Sequence, residues 1–138
     1  MKTEQTLVII KPPHVTSGDW FNICLVYEQA GLIVVTARVI PLLSADQIAV
    51  LYGEHRDKPF YPRLVHHMTS GIVMPLLLEG PEGTIELVRQ LNGPTNPIVA
   101  KETDPDSIRA RWGSELPFNV VHASANADAA KVEMTIFF

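Results

Sequence analysis

The order of apolar periodicities along this chain, β-α-β-(αα)-β-α-loop-β-α, predicts an α+β fold of the split-βαβ, ferredoxin-like kind (βαββαβ): an antiparallel sheet covered by helices. Three observations carry that expectation. Aliphatic runs of strand length alternate with segments of helical period, and turn residues separate the two. The length of 138 residues suits one domain over 1–138. A hydrophobic fraction of 46% against 19% charged residues gives that domain a core without metal or disulfide staples.

Residues 6–10 are a β-branched run closed by Lys11-Pro12-Pro13 and read as a buried strand. Ser17 is expected to cap a helix reaching Ala30 and stopped by Gly31, with Trp20, Ile23, Cys24, Tyr27 and Ala30 on one face. Residues 32–40 form a Val/Ile-rich strand closed by Pro41. Ser44-Ala45-Asp46-Gln47 has the form of a capping box and opens a helix through Tyr52, with a second short helix over 62–68. Residues 72–78 read as a strand, but Pro75 cannot donate to a ladder and so implies an edge or a bulge. Residues 83–91 are helical, with Ile85, Val88 and Leu91 on one stripe. Residues 93–105 read as a long loop, 106–112 as a short helix and 119–122 as the last strand. Asn126 caps a helix through Glu133, with Asp128 in its positive first turn.

The net charge of -4 disfavours a protein that coats long nucleic acids by sheer positive charge. The lone Cys24 cannot form an internal disulfide and suits a reducing compartment. No apolar stretch approaches the roughly 18 residues that span a bilayer. The start, Met1-Lys2-Thr3-Glu4-Gln5, lacks the apolar segment of a secretory signal. The expectation is a soluble cytoplasmic protein without a membrane partner.

There is no glycine-rich phosphate loop, no Gly-x-Gly-x-x-Gly and no Cys-x-x-Cys, so phosphate chemistry would fall to side-chain cations. Polar residues gather where strands end: Lys11 after the first, His122 and Ser124 at the last, with Arg89, Thr95 and Arg109 nearby in sequence. Singly, each is most simply a solvated or packed side chain. Together, six motifs in order resemble the nucleoside diphosphate kinase family. They are Thr6-Leu7-Val8-Ile9-Ile10-Lys11-Pro12, Arg56-Asp57-Lys58-Pro59-Phe60-Tyr61, Met68-Thr69-Ser70-Gly71-Ile72-Val73, Gly93-Pro94-Thr95-Asn96-Pro97, Ser107-Ile108-Arg109 and Asn119-Val120-Val121-His122-Ala123-Ser124. The correspondence runs from Thr3 to Phe138 and includes the spacing of His122 to Glu133.

The resemblance implies transfer of a γ-phosphoryl group from a nucleoside triphosphate to a nucleoside diphosphate, by a ping-pong relay through phospho-His122. A neutral imidazole is available near physiological pH and forms a phosphoramidate that passes the group on. By the same resemblance Ser124 and Glu133 flank the histidine. Lys11, Arg89 and Arg109 supply cations, while Tyr52 and Thr95 add hydroxyl donors. Lys11 and Asn119 hold the ribose, His55 lies near the phosphates, and Phe60 stacks on the base with Leu116 closing the other side. Mg²⁺ enters with the nucleotide phosphates, and the assembly is a homo-oligomer. Adjacent His66 and His67 diverge on a helix and receive no role; Cys24 is read as packing.

Four features depart from the family pattern. Pro13-His14 replaces Asp-Gly after Lys11-Pro12, and Ala125 replaces an aspartate that helps organise Mg²⁺. Ala110-Arg111-Trp112 replaces Gly-Asp-Phe, and about three extra residues lie around Lys101 to Asp104. These departures motivate an alternative, a catalytically silent nucleotide-binding or regulatory module on the same fold. A nucleic-acid or protein-interaction role is opposed by the acidic balance and the lack of an aromatic-basic stripe.

Overall fold

A computed structural model describes residues 2–138. Strands β1 (Thr3–Ile10), β2 (Ile33–Ala37), β3 (Met74–Pro81) and β4 (Val121–Ala123) make one antiparallel sheet in the order β2-β3-β1-β4. Helices are α1 (Asp19–Gln29), α2 (Ala45–Tyr52), α3 (Tyr61–Met68), α4 (Thr84–Asn92), α5 (Pro97–Thr103), α6 (Ile108–Trp112) and α7 (Ala127–Phe137), with a single tight turn at Gly53–His55. The expected ferredoxin-like α+β architecture is the one observed.

Strand β1 is apolar on both sides because both faces of the sheet are covered. Leu7 and Ile9 pack with Ile48, Leu51, Met68 and Phe137 from α2, α3 and α7. Val8 and Ile10 pack with Ile23, Tyr27 and Val88 from α1 and α4. All four β1 side chains are fully buried, and each such burial contributes roughly 1.5–3 kcal/mol. The loops at the end of this rigid strand present Lys11, and its antiparallel neighbour presents His122 opposite Ile9.

Several local expectations are corrected. Strand β3 lies inside the sheet despite Pro75. Its carbonyl accepts from Arg38 N, just past the end of β2, so the missing N–H also points there and away from β1. Pairing of Pro75 with Ile9 therefore costs no ladder bond. The irregularity falls in β2 instead, between Val34 and Thr36, and Ile40 rejoins β3 only as an isolated bridge to Val73.

Helix α1 starts at Asp19 after Gly18, whose φ of 88° lies in the left-handed region; Ser17 is not its cap. Only Ile23 and Tyr27 of its expected apolar face are fully buried, and Cys24 is half-buried, its thiol pushed up to about 11 by burial. The presumed loop at 93–105 contains α5, because the Asn96 side chain accepts from Ile98 N and Pro97 fits the first helical turn. Proline marked a helix start there. The capping box at Ser44 and the Asn126 cap form as expected, and α7 continues past Glu133 to Phe137.

Candidate active site

A cavity of about 500 Å³ opens where β1 and β4 end against α2 and α3. It gathers Lys11, Tyr52, His55, Phe60, Thr95, Arg109, Leu116, Asn119 and His122 from eight segments spread along the chain. Nine of the residues expected at the site thus share one wall system.

The histidine is held from behind. Glu133 on α7 is 8% exposed, and its Oε1 accepts from Ser124 Oγ at 3.0 Å and sits 2.7 Å from His122 Nε2. A carboxylate only accepts, so the proton resides on Nε2 and the Nδ1 lone pair is the free one. The side chain of His122 is 15% exposed, which leaves it reachable. The Tyr52 ring meets the imidazole edge-on at 5.6 Å. The Tyr52 hydroxyl is buried without a partner among the described residues, and burial together with Glu133 raises its pKa, so it stays protonated.

Two cations, Lys11 and Arg109, line the same cavity as that histidine. Lys11 is 4% exposed and donates from Nζ to Asn119 Oδ1 at 2.6 Å and to Pro117 O at 3.4 Å. Burial, with the nearby Arg109, lowers its pKa to about 7. Arg109 donates to three backbone carbonyls, Gly93 at 2.9 Å, Asn119 at 3.2 Å and Val121 at 2.9 Å. Two of these carbonyls flank Val120, a fully buried residue with φ of 75°. Val121 N donates to Asn119 O at 2.8 Å across it, a tight three-residue turn that is strained for a β-branched side chain. The turn aims both carbonyls at one guanidinium. It also explains why β4 begins at Val121 and not at Asn119.

Gly93 is required where the chain runs against the Ser107 cap of α6. Its φ is 82°, and a Cβ would run into the Ser107 side chain. Ser107 caps α6 by accepting from Ala110 N, so this close approach seats the helix that carries Arg109. The extra residues around Lys101 are absorbed by α5, where Lys101 Nζ donates to Gly113 O at the end of α6. The insertion leaves Arg109 in the cavity.

Arg89 stands slightly apart. It lines an adjoining recess of about 210 Å³ with Thr95 and Arg109, and donates to Ala125 O at 3.1 Å. His55 and Phe60 touch, with ring centroids 5.4 Å apart, and Phe60 is 51% exposed. His14 is buried and pairs through Nδ1 with Asp19 at 2.9 Å, so this substituted residue ties the Lys11 loop to the first turn of α1. His66 is exposed and His67 buried, and burial lowers the His67 pKa to about 4. No group of three metal-ligating side chains forms among the described residues.

Sequence reasoning missed Arg63 and Leu64, which also line the cavity. Their signal was position: they follow Phe60 by three and four residues, one helical turn onward.

Comparison with known proteins bears on the chain as a whole. The family description "Nucleoside diphosphate kinase" matches residues 4–138. A nucleoside diphosphate kinase of Anaplasma phagocytophilum is 44% identical over 135 residues, spanning 98% of this chain and 93% of the relative. One from Streptomyces avermitilis is 41% identical over 99% of this chain and 96% of its own length. Among solved structures, the Aquifex aeolicus nucleoside diphosphate kinase superposes with a TM-score of 0.91 at 33% identity, over 99% of this chain and 96% of the other. A halophilic one from Halobacterium salinarum, in complex with CDP, gives 0.89 at 33% identity, over 99% of this chain and 88% of the other.

Proposed function

Since this chain belongs to the nucleoside diphosphate kinase family, we propose that it performs the family's phosphoryl transfer through Nδ1 of His122. The activity itself, moving a γ-phosphoryl group between nucleoside tri- and diphosphates, follows from relatives 41–44% identical over essentially the whole chain. The match favours the enzyme over a silent module on the same fold. The observation that carries the residue assignment is the bond from His122 Nε2 to Glu133, which leaves Nδ1 unprotonated in a cation-lined cavity.

In the first half-reaction Nδ1 attacks the γ-phosphorus; the P–N bond forms as the bond to the bridging oxygen breaks, and the diphosphate leaves. The second nucleoside diphosphate then takes the group back through its terminal oxygen. Glu133 and Ser124 keep the ring oriented and stabilise the positive charge it gains. Lys11, Arg89 and Arg109 offset phosphate charge, which is the main demand of this chemistry. The unpartnered hydroxyl of Tyr52 and the side chain of Thr95 would donate to phosphate oxygens, with His55 beside them. Lys11 and Asn119 would take the ribose hydroxyls, with the base between Phe60 and Leu116.

Mg²⁺ would arrive on the phosphates and neutralise them when bound. The donor set fits that route, because Glu133 is committed to His122 and Ser124, and Ala125 offers no carboxylate. A homo-oligomer belongs to the same reading, supported by the exposed apolar side chains Ile33 and Val35 on edge strand β2. The cytoplasmic assignment is supported by the lone, unpaired Cys24. No helix among the described residues is long and apolar enough to cross a membrane.

Incubation with a nucleoside triphosphate labelled in its γ-phosphoryl group tests the assignment. The protein should gain an acid-labile, base-stable phosphate, and His122→Asn should lose it while keeping its fold. A variant that labels as well as the parent removes His122 as the nucleophile.

A further inference from the structure

Three arginine or lysine side chains line the large cavity, and two of them are already committed. Lys11 is bound to Asn119 and Pro117, and Arg109 to three carbonyls. The third, Arg63, makes no hydrogen bond or ion pair among the described residues. It is exposed, sits in the first turn of α3 and lies over the Phe118 ring at 5.8 Å from its centroid. That contact steadies the guanidinium without occupying any of its donors. Phe60, three residues earlier, lines the same cavity.

We propose that Arg63 is a specificity-determining residue that reads the outer edge of the bound base and favours keto bases over amino bases. The inference rests on the reading of the cavity as a nucleotide site. With the ribose at Lys11 and Asn119 and the base between Phe60 and Leu116, the edge remote from the sugar faces the cavity mouth. Purines carry their C6 substituent on that edge and pyrimidines their C4 substituent. In guanine and uracil the group is a carbonyl, which accepts; in adenine and cytosine it is an amine, which donates. A guanidinium has donors only, so it pairs with the first pair and opposes the second. Guanine offers O6 and N7 together, the geometry that suits the guanidinium fork. Aromatic stacking alone carries no such discrimination.

The test compares kcat/KM for GDP against ADP, and for UDP against CDP, in the parent, Arg63→Ala and Arg63→Glu. The parent prefers GDP and UDP. In Arg63→Ala both ratios fall about fivefold, the worth of one net hydrogen bond at an accessible site. In Arg63→Glu they fall below the alanine values, because a carboxylate accepts from the amines. A merely structural role would lower all four substrates together, leave both ratios in place and overturn the inference. Ratios that do not move in active variants also overturn it. A parent that transfers phosphate to none of the four fails the nucleotide-site reading itself, which keeps the two failures distinct.

Discussion

Lys11 is a buried ammonium with no carboxylate partner, held by one side-chain amide oxygen and one carbonyl. Its lowered pKa of about 7 makes a two-sided prediction. As pH rises through about 7 the free protein loses this charge, so nucleotide affinity falls and binding takes up a proton. Stability moves the other way. The unfolded lysine keeps its proton up to its ordinary 10.5, so between about 7 and 10.5 the unfolded chain binds more protons and the folded state gains stability with rising pH. After burial, Arg109 adds to this lowering, and the Lys11 charge in turn adds to the effect of burial in lowering the His67 pKa. Titrating ADP binding against pH should show the decline in the parent and its absence in Lys11→Gln; parallel curves would refute it. At this scale the sequence was highly legible. Residues such as Asn119, His122 and Glu133 were named by motif and spacing. That Lys11 loses basicity, or that Arg63 is the uncommitted cation, required knowing what surrounds each.

The elements decide where those residues point. Helix α6 is only five residues long and carries Arg109, so its seat depends on the Ser107 cap and on the contact with Gly93. Ser107→Ala removes the cap and should cost about 1 kcal/mol of stability. It should also raise KM for nucleotides more than it lowers kcat, because a displaced Arg109 weakens phosphate binding first. Thermal melts and steady-state kinetics check the two parts, and an unaltered KM would separate the cap from the site. Here the sequence was partly legible. The caps at Ser44 and Asn126 are legible as local patterns, whereas Asn96-Pro97 looks like a loop because proline breaks a helix interior yet fits a first turn equally well. Pro75 misled for a related reason. Proline costs a ladder bond only on the side its nitrogen faces, and the sequence does not tell which strand lies on that side.

For the whole molecule, the sheet leaves β2 at one edge with Ile33 at 59% and Val35 at 47% exposure. An apolar edge strand invites pairing with another chain. Light scattering should therefore find an oligomer in the parent, and Val35→Lys should shift it toward smaller species by placing a charge in that face. A monomeric parent would contradict the assembly proposal. The sequence by itself determined the fold class and the order of elements apart from α5, and it named the candidate site residues, because periodicity, caps and motif spacing are local and survive without coordinates. Tertiary structure alone decided the rest. Convergence of eight segments on one cavity, the strained turn at Val120 that serves Arg109, the buried and unpartnered Tyr52 hydroxyl, and the free guanidinium of Arg63 all depend on contacts between residues far apart in the chain. Such contacts set desolvation and hydrogen-bond supply, and these fix what a side chain can do.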